Sequence, residues 1–224
     1  MRYQGSPPHR RAQGPNHTNS LKCNEFMAGQ GIMDGRDMSN WPANLATGLI
    51  VKTLHLLRHA KAEPEGEHDS ADHLRPLAKR GRKAAQALAR YMAESGFAVD
   101  RVFCSTAARA KETVTALQPV LRSAPVAFRD RLYMIDADDL FAFLKALPET
   151  AATVLLVGHN PAYYEIALRL IGKAPGQSEA WESLREKFPT GALCSISFDV
   201  ARWDDIKART GTLRGLIRPR DLGV

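Results

Sequence analysis

No stretch of about 18 residues in this sequence is apolar and free of charge, which argues against a membrane-spanning helix. The first fifty residues lack the basic start, apolar stretch and small-residue cleavage site of a secretory signal, so a cytoplasmic location is expected. Cysteine is scarce: Cys23, Cys104 and Cys194 are odd in number and have no CxxC spacing. A disulfide framework and a structural zinc site are therefore unsupported, and reduced thiols are expected. Aromatic residues make up only 7% of the chain, and Trp181, Trp203, Tyr163 and Tyr164 lack the interleaved basic residues of a base-stacking surface. Packing explains them better. No internal repeat of 20 to 50 residues stands out.

What is present fits a globular domain. The chain has 224 residues, 44% of them hydrophobic, enough for one substantial core. Its net charge of +7 raises the possibility of a nucleic-acid surface, so the position of the charge matters. Residues 1–50 hold five Lys/Arg against three Asp/Glu, and residues 206–224 hold five against one. Residues 51–205 are left with a net charge of +1. Solvated basic ends explain this distribution better than a nucleic-acid partner. The cluster Arg80, Arg82 and Lys83 reads as one exposed helix face.

Residues 1–47 are rich in Gly, Pro, Asn, Ser and Gln, show no sustained period and read as a disordered leader. From residue 48 to 224 strand and helix patterns alternate. Strands are expected at Thr53–Leu57, Arg101–Cys104, Val126–Phe128, Thr153–Val157 and Leu193–Phe198. A helix over Leu77–Glu94 has Ala84, Ala85, Leu88, Ala89 and Met92 on one face and Gly96 as its stop. Ser105 or Thr106 is placed to cap a second helix, disturbed near Pro119. Asp138–Ala146 reads as a third helix, and Pro161 suits the first turn of a fourth, running to Ile171. This alternation predicts an α/β fold: a single domain with a mostly parallel central sheet and helices on both faces.

In such sheets ligands bind beyond the carboxyl ends of the strands. Arg58 and His59 follow the first strand, Arg109 opens the helix after the second, and His159 with Asn160 follows Thr153–Val157. Taken singly, an Arg-His pair is a surface turn, Arg109 a solvated helix residue and His159 a packing histidine. Falling together at strand ends, they form a candidate phosphate site, because guanidinium forks and helix N-terminal amides suit phosphate oxygens. His55, inside an aliphatic run, reads as a hydrogen-bonded core residue. His68 and His73 lie in a polar loop that is placed to line the cleft mouth. His55 and His59 are not on one helix face and no HExxH occurs, so no metal is expected, and no cofactor.

The residues resemble the histidine phosphatase superfamily (phosphoglycerate mutase-like), and within it the phosphohistidine phosphatase branch of the SixA type. The resemblance runs from about Val51 to Leu222. Leu56-Leu57-Arg58-His59-Ala60 is similar to the family's Arg-His-Gly signature, with Ala60 in place of Gly. Asp72–Gly81 (DHLRPLAKRG) is similar to the branch's Arg-Pro-Leu segment. Cys104–Thr113 (CSTAARAKET) matches Ser-x-x-x-Arg-Ala-x-x-Thr, and Leu155–Pro161 (LLVGHNP) matches the second histidine motif. Pro189–Ala192 and Arg218–Leu222 fit as well.

The resemblance implies a phosphatase in which His59 is the nucleophile, forming a transient phosphohistidine. Arg58, Arg109 and His159 would bind the phosphate, with His159 also catalytic. Crowding by these cations should keep the His59 imidazole neutral, as attack requires. The acidic proton donor of larger relatives has a poor match here. Asp136 is the candidate, with Asp138 next, although both also suit the loop and cap of the third helix. Three functions follow: a protein phosphohistidine phosphatase, a phosphatase of small phosphate esters, or a phospho-ligand binding module without turnover. The expected partner is thus a phosphorylated protein or a small phosphate ester, with neither nucleic acid nor membrane.

Overall fold

In the computed structural model, residues 51–64, 72–122, 124–174 and 178–224 are described, together with Met1. The expected leader, Cys23 and His68 lie outside the described residues. In chain order the strands are β1 (Lys52–Arg58), β2 (Arg101–Ser105), β3 (Val126–Arg129), β4 (Thr153–Gly158), β5 (Ile171–Lys173), β6 (Leu193–Phe198) and β7 (Gly211–Ile217). The α-helices are α1 (Lys79–Glu94), α2 (Ala108–Leu121), α3 (Ala137–Lys145), α4 (Ala162–Leu170) and α5 (Glu179–Glu186).

The strands pair in the order β3-β2-β4-β1-β6-β7-β5. The four strands from β3 to β1 are mutually parallel, as crossover helices require, and β6 runs antiparallel to both β1 and β7. Alternation along β1 and β4 separates two cores. Leu54, Leu56, Val154 and Leu156 face α3, α4 and α5, while Leu57, Leu155 and Val157 face α1 and α2. A strand buried on both faces has no polar alternation, which is why both segments read as continuous aliphatic runs. Each fully buried Leu contributes roughly 1.5–3 kcal/mol.

The five expected strands and four expected helices are all present, with no stated end shifted by more than two residues. Gly96 takes φ 67° just after α1, and its place as a stop follows from that left-handed backbone. Leu77 lies outside α1 because its N–H is held by the Glu112 carboxylate at 3.0 Å and it bridges to Ala62. Neither Ser105 nor Thr106 caps α2: Ala107 stands at that position. The Ser105 hydroxyl meets the His159 ring and the Thr106 hydroxyl meets His73, so both are engaged across the sheet edge. Asp136 caps α3, its side chain accepting the Asp139 N–H at 2.8 Å.

Residues 206–224 are not a solvated tail. They form β7, an inner strand of the sheet, and a helical turn at Pro219–Leu222 held by Arg218 and Asp221. The basic excess there is therefore fixed to the folded surface. His55 is buried, with Nδ1 2.8 Å from Ser195 Oγ, and burial pushes its pKa down to about 3. Trp203 is likewise a core residue, its Nε1–H donating to the Ala151 carbonyl at 2.7 Å.

Candidate active site

Register decides which residues meet. Arg58 pairs with Gly158 across β1 and β4, and Cys104 pairs with Val157 across β2 and β4. Arg58-His59, Ser105 and His159 therefore leave the sheet side by side, at the carboxyl ends of three parallel strands. The loop before β6 fixes this edge. Gly191, at φ 77°, donates its N–H to the carbonyls of Arg58 and His59, both at 3.0 Å. A side chain at that φ would be strained. On the other side the Ala60 N–H donates to Thr113 Oγ1 (3.1 Å), whose hydroxyl donates to the Arg109 carbonyl (2.7 Å), tying the His59 loop to α2.

A cleft of about 600 Å³ opens above this edge. Arg58, His59, Arg109, His159 and Asp136 all line it. Asp138 does not: it is 88% exposed and paired with Arg169 at 2.5 Å. His73 does not line it either: its ring is edge-on to Tyr133 and its Nε2 lies 3.0 Å from Thr106 Oγ1.

His59 is only 8% exposed. Its Nδ1–H donates to the Ala60 carbonyl at 2.7 Å, which leaves the lone pair on Nε2. Burial, with the charges of Arg109, Arg58 and Arg75, pushes its pKa down to about 4 despite the opposing hydrogen bond to Ala60. His159 lies with its ring centroid 5.0 Å from that of His59 and its Nε2 2.8 Å from Ser105 Oγ. Burial and the neighbouring His59 and Arg109 lower its pKa to about 3. Both imidazoles are neutral at pH 7. Because folding depresses these values, the folded chain binds fewer protons than the unfolded chain between about pH 4 and the unperturbed value near 6.5. Stability contributed by the two rings is thus present at neutral pH and declines as pH falls through that window.

Three side chains not singled out by sequence reasoning, Asp72, Arg75 and Tyr133, are linked by hydrogen bonds to Arg109 or through Asp72 to it. Asp72 accepts hydrogen bonds from Arg75 Nη2 (2.5 Å), Arg109 Nη2 (2.9 Å) and the Tyr133 hydroxyl (2.7 Å). Burial raises its pKa, but the hydrogen bonds and the two guanidiniums outweigh this and hold it at about 2. Arg75 joins Arg58 and Arg109 in the cleft. Each of these three arginines has a buried Nε–H without a hydrogen-bond partner among the described residues. Unpartnered buried donors are costly, and three of them around one cleft suit an anion that would accept from them. The Arg-Pro-Leu resemblance contained Arg75, but only the structure shows it turned to the cleft.

Comparison with known proteins agrees with this geometry. The family model of the histidine phosphatase superfamily (branch 1) matches residues 54–140. The chain is 34% identical to a solved structure from Nakamurella multipartitia assigned as phosphohistidine phosphatase SixA, with a TM-score of 0.64, covering 75% of this chain and 96% of that one.

The chain belongs to the histidine phosphatase superfamily.

Its likeness is to the SixA-type branch, and the family together with its phosphatase neighbours makes it a phosphatase. An Agrobacterium tumefaciens structure, also assigned as SixA, is 26% identical with a TM-score of 0.63, covering 75% of this chain and 98% of its own. A Mycobacterium leprae protein of uncharacterized function is 34% identical over 166 residues, spanning 73% of this chain and the whole of that protein. The single α/β domain with a mostly parallel sheet is the phosphoglycerate mutase-like fold expected from the sequence.

One consequence concerns pH. If His59 is the attacking group, as the resemblance implies, the acid limb of single-turnover phosphorylation belongs near pH 4, its lowered value, and not near 6.5. A rapid-quench series from pH 4 to 8 on a substrate with no ionisation in that range should be flat between pH 5.5 and 8. A tenfold fall in rate from pH 7 to 5.5 would count against a buried, neutral His59.

Proposed function

We propose that the protein is a protein phosphohistidine phosphatase that works through a covalent phosphohistidine on His59. The observation that carries this reading is the neutral His59 Nε2 among three arginines with free Nε–H donors and His159. In the first step the Nε2 lone pair attacks phosphorus in line with the leaving nitrogen of the substrate histidine. The P–N bond to the substrate breaks, its electron pair returns to the substrate imidazole, and that nitrogen takes a proton. Arg58, Arg75, Arg109 and His159 hold the equatorial oxygens as charge develops on them. Water then attacks phosphorus, the bond to His59 breaks, and inorganic phosphate leaves.

The proton donor decides the substrate class. Asp136 reaches the cleft but one of its oxygens is committed to capping α3. An imidazole leaving group can take its proton from solvent near neutral pH, whereas an alkoxide cannot wait for one, so a part-time acid suits phosphohistidine. Glu63 and Glu165 also line the cleft, and they favour a second reading, a phosphatase of small phosphate esters. Asp136→Asn separates the two, since Asn retains the cap. On a phosphohistidine protein its turnover should stay within about threefold of wild type. A drop of roughly a hundredfold or more, the usual scale for losing a general acid, would move the assignment to esters. Phosphate binding with no turnover of either substrate would leave only a binding module.

A further inference from the structure

A second cavity, of about 310 Å³, adjoins the cleft and shares Lys61 and Thr190 with it. It lies between the start of α1 and the helical turn at Pro219–Leu222. Lys61, Arg80, Lys187, Arg218 and Arg220 line it together with Val224, the last residue, and no Asp or Glu side chain does. The C-terminal basic excess and part of the α1 cluster are thus brought to one place beside the site. We propose that this cavity is a docking site for an acidic segment of the phosphoprotein substrate, next to the phosphorylated residue; this rests on the protein phosphatase reading above.

Its side chains favour a peptide over a compact anion. Arg218, the buried cation, already spends its donors on Asp221, Glu179 and the Ser183 hydroxyl. What remains are long exposed side chains spread along a rim. Lys187 has an exposed ion pair to Glu186 at 3.4 Å, and Arg220, itself exposed, reaches only Asp221 at 4.0 Å, a carboxylate already held by Arg218. Lys61 and Arg80 have no acidic partner among the described residues. No convergent cradle exists to grip one phosphate, but dispersed cations can each meet a carboxylate of an extended chain. Ala84, Pro189 and Pro219 offer an apolar floor for its backbone. Because Lys61 and Thr190 border both cavities, a chain with its phosphohistidine in the cleft would run directly across the basic rim.

The experiment uses a nine-residue peptide with histidine at its centre and two glutamates at each end, beside a control with glutamine at those four positions. Binding of the fluorescein-labelled, unphosphorylated peptides is read by anisotropy, and turnover of the chemically phosphorylated ones by phosphate release. Wild type should bind the glutamate peptide at least fivefold more tightly than the control, and the preference should vanish between 50 and 300 mM salt. In Arg80→Gln/Arg220→Gln it should also vanish, with hydrolysis of p-nitrophenyl phosphate unchanged. Both positions are exposed, and if the double variant melts early, Arg80→Gln alone should remove at least half of the preference. Equal affinities for the two peptides in wild type, or an undiminished preference in the variants, would overturn the docking site. Failure of wild type to hydrolyse either phosphopeptide while it cleaves p-nitrophenyl phosphate would instead reject the phosphohistidine reading, and the binding data would still decide the docking site.

Discussion

His59→Ala should lower steady-state turnover of a phosphorylated substrate by roughly a thousandfold or more, the scale seen when a nucleophile is removed from a group that acts as a unit. The loss should fall on kcat, because Arg58, Arg75, Arg109 and His159 would still bind the phosphate. KM should change less than tenfold. The variant should fold: His59 is at the end of β1, its Nδ1–H is satisfied by its own neighbour's carbonyl, and no core cluster depends on its ring. Circular dichroism and a melting curve check that. Turnover within tenfold of wild type would remove the nucleophile assignment, whatever the fold.

Arg109→Ala is the second large effect. Its guanidinium lines the cleft, 6% exposed at the side chain, with Nη1 and Nη2 both donating to Asp72. Losing one preorganised donor to developing charge costs about 10²–10³ in rate. Here the damage extends further, because Asp72 would keep only Arg75 and Tyr133 as partners. A carboxylate held at about pKa 2 partly by Arg109 would then sit beside the anion with less to neutralise it. A fall in kcat/KM of about a thousandfold is expected, measured with the same substrate as for His59→Ala. Arg109→Lys should not restore it, since an ammonium cannot reproduce the fork that meets both the backbone carbonyl and the carboxylate of Asp72. Recovery to within tenfold by lysine would show that only a point charge is needed.

The strand ends were legible because β1, β2 and β4 are buried on both faces and therefore announce themselves as aliphatic runs. The polar residues that terminate those runs are the ones the sheet gathers. Contacts between distant segments were not legible. Asp72 meets Arg109 37 residues away and Tyr133 61 residues away, and nothing local to Asp72 signals either partner. The same holds for Ser105, which looked like a helix cap because its partner His159 lies 54 residues ahead, just past the end of β4. β7 was missed because Gly211, Arg214 and Gly215 interrupt its apolar pattern, so its basic residues read as a tail. α5 was missed as well: it has eight residues and buries only Ser183 and Leu184. Asp136 was read as either an acid or a cap. The structure gives it the cap and a place at the cleft, and only kinetics with Asp136→Asn can divide its two uses.

The most direct test of a covalent phosphohistidine on His59 is to trap it. Wild type is mixed in a single turnover with a radiolabelled phosphohistidine protein, quenched in alkali within milliseconds to seconds, digested and mapped by mass spectrometry. The expected result is an alkali-stable, acid-labile phosphate that appears before inorganic phosphate and resides on the peptide containing His59. Turnover with no labelled enzyme at any time, or label on another residue such as Ser105, would contradict the account.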